Sequence, residues 1–170
     1  ALAHRHERIA SIPLMAYAVP VEEIRGAVDD GFFFMKIKIG QPGTQAEMLE
    51  KDKARLTAIH AAIGGARTPW TANGKLPYYF DANGRYESKD TLLRLLDHAR
   101  AIGAFDQIAL IEEPFPEELE IDIRDIPARV AADERTRPNR GVFELDADYY
   151  ARSGGVFAPL PHHESLCGLG

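Results

Sequence analysis

The stretch Phe32–Gly40, FFFMKIKIG, constrains the fold more than any other. Side chains two apart on a strand share a face. Phe32, Phe34, Lys36 and Lys38 therefore point one way, and Phe33, Met35, Ile37 and Ile39 the other. Both faces begin apolar, the pattern of a parallel strand covered on each side by other structure. One face then turns cationic, and only at the carboxyl end. Lysines there can be gatekeepers on an edge strand, but that would leave Phe32 and Phe34 in water beside them. The other reading is functional, because parallel α/β folds carry their chemistry at strand carboxyl ends.

The surrounding pattern alternates strand with helix. Ile12–Val19, IPLMAYAV, reads as a short apolar strand. Val21–Asp30 reads as a helix with Ile24 and Ala27 inward, stopped by Gly31. After the lysine strand, Thr44 and Glu47 form a T-x-x-E capping box. The helix it opens runs to about Ile63, with Leu49, Ala54, Leu56, Ile59 and Ala62 towards its apolar side and Gly64-Gly65 at its end. Arg67–Lys75 is a polar insertion with an Asn-Gly turn signal, long enough for a small surface hairpin. Leu76–Phe80 is the next strand, and Ser88 caps a helix carrying Leu92, Leu93, Leu95, Leu96, Ala99 and Ile102. Ile108–Ile111 and Arg129–Ala132 are two further strands. The acidic run Glu117–Asp125 between them reads as a solvated surface segment. Five strand units alternating with helices predict an α/β fold with a parallel sheet and right-handed crossovers.

At 170 residues the chain can bury a real core. A net charge of -6 with no basic stripe argues against a nucleic-acid partner. No apolar run reaches membrane-spanning length, and no signal segment opens the chain. Cys167 stands alone, so no internal disulfide forms, and a reducing cytoplasm is the expected home. His4 and His6 have no zinc spacing, and His162-His163-Glu164 reads as a solvent-facing pair on a tail. No nucleophile elbow, phosphate loop or dinucleotide-binding glycine pattern occurs, which leaves a phosphoryl-transfer reading without a phosphate cradle.

Three successive strands each end in a carboxylate: Asp81, Glu112 and Asp133. In a parallel barrel all carboxyl ends open on one rim, so these acids converge with Lys36 and Lys38. Any one of them alone would pass for a helix cap or a loop residue. Three carboxylates together repel unless a cation neutralises them. Oxygen ligands without Cys or His favour Mg²⁺, with Mn²⁺ as the second choice, over zinc.

Four motifs carry a specific resemblance: MKIKIG, YYFDANGRY, LIEEPFP and VAADER. They are similar to the K-x-K, D-x-N-G, E-E-P and A-D-E motifs of the enolase superfamily, in the branch of mandelate racemase and muconate-lactonizing enzyme, dipeptide epimerases included. The resemblance spans Ile12 to Arg135. It implies a (β/α) barrel of the TIM type and a Mg²⁺ site made by Asp81, Glu112 and Asp133. It further implies that Lys38 is the base removing a proton alpha to a carboxylate, with Lys36 as its electrostatic neighbour. Asn83, Glu113 and Glu134 stand at supporting or substrate-side positions, where a structural role fits equally. The implied partner is a small carboxylate substrate, and the implied assembly is a homo-oligomer. Epimerisation or racemisation, cycloisomerisation and sugar-acid dehydration all start from such an enolate.

A whole barrel of this kind takes about 250 residues, and the pattern breaks after Arg135. Residues 1–11 read as a connector from a capping domain, 12–136 as part of a barrel, and 137–170 as a segment returning to cover it. The second acid/base of the family lies in strands not seen here. A catalytically inactive fragment or scaffold that keeps the metal rim is therefore the alternative to an enzyme.

Overall fold

The computed structural model describes residues 10–131. Five strands form one parallel sheet in the order of the chain: β1 (Leu14–Met15), β2 (Met35–Lys38), β3 (Tyr78–Asp81), β4 (Ile108–Glu112) and β5 (Val130–Ala131). Helices α1 (Val21–Asp29), α2 (Gln45–Ile63) and α3 (Lys89–Ala101) fill the first three crossovers. The fourth crossover has a 3₁₀ turn, Glu117–Leu119, and otherwise irregular chain. This is the expected parallel α/β architecture. Of the expected divisions, the connector at 1–11 is described only from residue 10, and the return segment 137–170 lies outside the described residues. So do the strand end at Ala132 and the residues Cys167, His162, His163 and Glu164.

Local chemistry sets the helix limits. The capping box on α2 is complete: the Glu47 N–H donates to Thr44 Oγ1 at 3.3 Å, and the Thr44 N–H donates to Glu47 Oε2 at 2.9 Å. On α3, Ser88 Oγ accepts from the Thr91 N–H at 3.2 Å. α1 ends in a Schellman motif. Gly31 has φ +98°, its N–H donates to the Val28 carbonyl, and the Phe32 N–H donates to the Ala27 carbonyl. That motif corrects the expected start of the lysine strand. Phe32 belongs to the helix cap and is 37% exposed, so β2 begins at Met35 and not at Phe32.

β2 pairs with β1 on one side and β3 on the other, so its lysines are not edge gatekeepers. Met35, Ile37 and Ile39 are buried, as are Tyr78 and Phe80 on β3. Against them pack Met48, Leu49, Leu56, Ile59 and Ile63 of α2 and Leu92, Leu95, Leu96 and Ala99 of α3. Ala54, expected on the apolar side of α2, is exposed. β1 is shorter than expected, with Ile12 and Leu14 exposed. The acidic run is only partly a surface segment: Glu118, Asp122 and Asp125 are exposed, while Ile123 and Ile126 between the charges are buried. The polar insertion does form a hairpin, with Arg67 bridging antiparallel to Lys75.

Replacement of the fully buried Leu95 by alanine should lower unfolding free energy by about 3 kcal/mol, read as a shifted urea midpoint with unchanged slope. A loss below about 1 kcal/mol would mean that the site collapses around the deletion. Among the described residues, no helix is long and apolar enough to cross a membrane.

Candidate active site

Register brings the charged residues into one row. Lys38 lies opposite Asp81, Asp81 opposite Glu112, and Glu112 opposite Ala131. A second row, one pleat back, holds Lys36, Tyr79 and Leu110. A bulge helps to align these rows: Tyr78 pairs with Ile108 but Tyr79 pairs with Leu110, so Ala109 has no partner of its own. Beyond it, Leu110 and Glu112 fall in step with Tyr79 and Asp81.

Within these rows the cations and acids meet directly. Lys36 Nζ sits 2.9 Å from Asp81 Oδ2 and 2.5 Å from Glu112 Oε2. Lys38 Nζ donates to the same Asp81 oxygen at 2.6 Å and to Asn83 Oδ1 at 2.5 Å. The other Asp81 oxygen accepts the Asn83 N–H at 3.1 Å, which helps to hold Asn83 at φ +48°. Lys36 also lies over the Tyr79 ring, 5.3 Å from its centroid. The acids are nearly dry: the side chains of Asp81 and Glu112 are 2% and 7% exposed. Glu113 is buried with φ +38°, and its backbone joins two neighbouring segments. Its N–H donates to the Ala131 carbonyl at 2.9 Å, and its own carbonyl accepts the Gly84 N–H at 2.6 Å.

Burial and pairing pull these groups apart in acidity. Burial alone would raise Asp81, but hydrogen bonds from Lys36 and Lys38, with their charges, hold it below the ordinary carboxylate value. Glu112 is pushed up to about 7, chiefly by burial and also by the Asp81 charge, against the pull of Lys36 and of a hydrogen bond with Tyr79. Burial disfavours the Lys36 ammonium. Its hydrogen bonds to Asp81 and Glu112 and the two negative charges outweigh that and raise it well above its usual value. Lys36 is thus a fixed cation here.

Five of the expected site residues are therefore in one constellation: Lys36, Lys38, Asp81, Asn83 and Glu112. Asp133 and Glu134 lie outside the described residues. Among the described residues no three His, Cys, Asp or Glu side chains gather as a metal cluster, so two of the three expected ligands are in view. Their chemistry fits a hard dication: two carboxylates sharing one cationic partner, all ligating atoms oxygen. Glu112 Oε2 is buried in ion-pair contact with Lys36 Nζ.

Residues not expected from the sequence support the rim. Tyr79 was detectable in principle, two positions before Asp81 on the same strand face. Tyr17 donates to the Ile39 carbonyl at 3.0 Å, and Arg85 donates to the Gly40 carbonyl at 3.2 Å while lying over the Tyr17 ring. Elsewhere, a cavity of about 460 Å³ bordered by Phe32, Phe33 and Trp70 lies at the amino ends of the strands, away from all these groups.

The model of the enolase C-terminal domain-like family matches residues 20–145. Among the solved structures that share the fold are the following two. One is O-succinylbenzoate synthase from Thermosynechococcus elongatus BP-1, complexed with magnesium in its active site. It is 21% identical, with a TM-score of 0.56 over 79% of this chain and 39% of that one. The other is N-succinyl Arg/Lys racemase from Bacillus cereus ATCC 14579. It is 17% identical, with a TM-score of 0.57 over 76% of this chain and 32% of that one. The chain thus spans 32% to 39% of the length of these structures. No match was found among curated proteins.

Proposed function

We propose, because this chain belongs to the enolase C-terminal domain-like family, that it abstracts a proton alpha to a carboxylate and carries the resulting enolate towards an isomerised or eliminated product. One observation carries the reading. Two lysines and two acids converge at the carboxyl ends of adjacent parallel strands, with Lys36 Nζ in contact with both acids. Such a proton is very weakly acidic, and its removal spreads negative charge over the carboxylate oxygens. Lys36, held cationic, faces that charge where it develops. Lys38 is the base, with Asn83 and Asp81 fixing its ammonium when it carries the proton. Asp81 and Glu112, joined by Asp133, would hold Mg²⁺, or Mn²⁺ in its place. The metal supplies Lewis-acid stabilisation of the substrate carboxylate.

Metal uptake should then depend on pH. Glu112 must be ionised to ligate, and its carboxyl titrates near 7. Protons therefore compete below that value, and Mg²⁺ affinity should rise about tenfold from pH 6 to pH 8 and level off above. Titration calorimetry at the two pH values reads this, and equal affinity would remove Glu112 from the ligand set. The metal-free protein should show the opposite slope. Its folded state binds more protons at Glu112 than the unfolded state does between about pH 4.5 and 7, so stability from this group falls as pH rises through that window.

The decisive experiment is exchange of the alpha hydrogen in D₂O with Mg²⁺, followed by proton NMR. The panel is dipeptides, sugar acids and N-succinyl arginine and lysine, the last pair suggested by the racemase neighbour. Exchange that EDTA abolishes supports the reading. No exchange from any member, with Mg²⁺ binding intact, would favour a metal-binding scaffold without turnover.

A further inference from the structure

Helix α2 carries one residue that its apolar stripe does not explain. Met48, Leu49, Leu56, Ile59 and Ile63 form the buried face, and Asp52 sits among them, 1% exposed. A carboxylate buried so deeply is costly unless its oxygens are bonded. Here both are. Asp52 Oδ2 accepts the Gly40 N–H at 2.6 Å and the Tyr86 hydroxyl at 2.7 Å, and Oδ1 accepts the Gln41 N–H at 3.3 Å.

Those donors are the loops that carry the site. Gly40 and Gln41 come just past Ile39, the residue after Lys38, and Tyr86 closes the loop that holds Asn83. Tyr86 is itself fully buried, and its N–H donates to the Pro114 carbonyl beyond Glu112 and Glu113. A single carboxylate therefore ties together the chain after β2, β3 and, through Tyr86, β4. Gly40 is built for this grip. It has φ +79°, and a Cβ there would lie 2.9 Å from both the Ala82 carbonyl oxygen and Arg85 Cβ.

We infer that Asp52 is a positioning residue: from the helix side of the sheet it fixes the backbone after Lys38, and so holds the Lys38 amine against Asp81 and Asn83. The inference rests on the reading of Lys38 as the base, but it makes a claim about placement that can be read without turnover. Asp52 touches neither lysine and acts through the loop.

The test uses Asp52→Asn in the full chain, with two readouts. The first is competitive acetylation of lysines followed by mass spectrometry, with Lys75 on the separate 67–75 hairpin as the internal reference, because Lys51 donates to the Pro42 carbonyl of the same loop. Lys38 should become about fivefold more reactive relative to Lys75 once its anchor loosens, while Lys36, held by two acids, changes less. The second is alpha-hydrogen exchange on whichever panel member the native protein turns over. There kcat should fall about tenfold to a hundredfold with KM nearly unchanged. Tyr86→Phe keeps both backbone bonds to Asp52 and cuts the tie to the β3 loop. It should give an intermediate effect, and it replaces Asp52→Asn if that variant does not fold. A folded variant with lowered thermal stability but native Lys38 labelling overturns the proposal, and so does a rise in KM with kcat intact. Raised Lys38 labelling in a protein whose native form exchanges nothing would uphold the positioning role and sink the base assignment instead.

Discussion

Replacing Lys38 with alanine should cut alpha-hydrogen exchange by about a thousandfold, the scale expected for loss of a general base. Mg²⁺ binding should persist in the same variant. Lys38 donates to Asp81 Oδ2 at 2.6 Å, so its removal leaves that oxygen to Lys36 and takes nothing from the ligand set. Lys38→Arg separates charge from basicity. A guanidinium can keep the contact with Asp81 but does not give up its proton, so this variant should be as inactive as the alanine one. Exchange by proton NMR and Mg²⁺ titration on one preparation read both effects. Retained exchange in Lys38→Ala would remove Lys38 from the base role. Activity in Lys38→Arg would mean that the position supplies charge alone.

Asp81→Asn should be the most damaging substitution for the metal. Asp81 Oδ2 takes both lysines, and its side chain is 2% exposed. An amide in its place leaves Lys36 with Glu112 alone and Lys38 with the neutral Asn83. Removing one partner of a buried ion pair costs about 3 to 5 kcal/mol, and the variant should lose stability towards the lower figure because the lysines reach solvent. Changing a residue that merely supports a metal ligand costs about 10- to 100-fold in affinity. Loss of a ligand charge should cost at least the upper figure, measured by calorimetry on protein shown to be folded. Unchanged affinity would take Asp81 out of the metal site.

What the sequence made legible was local chemistry and strand alternation. The capping box at Thr44 and Glu47, the Ser88 cap and the parallel order of strands all follow from spacing that survives packing. Lys36, Lys38, Asp81, Asn83 and Glu112 meet because strand ends in a parallel sheet share one rim. Two kinds of fact were not legible. The first concerns helix ends. FFF looked like strand because three aromatics alternate as well as any, yet Phe32 is claimed by the cap of α1. The second concerns long-range partners. Nothing near Asp52 in the sequence announces Gly40 and Tyr86, its partners in the fold. The buried Ile123 and Ile126 were hidden in the same way, by the charges on either side of them.

Strand order along the sheet is the order of the chain, and this bears on how the protein is made. Each β-strand pairs with the one synthesised just before it, so no pairing among the described strands waits for a distant segment to leave the ribosome. The lysines emerge first, on β2. Asp81, some forty residues later, supplies their first counter-charge, and Glu112 completes the row after another thirty. During elongation the nascent rim thus passes from repulsive to neutral. Of the strands that carry these charges, β4 arrives last and brings the acid of the row whose carboxyl is raised, by which time the cation that steadies it is already in place.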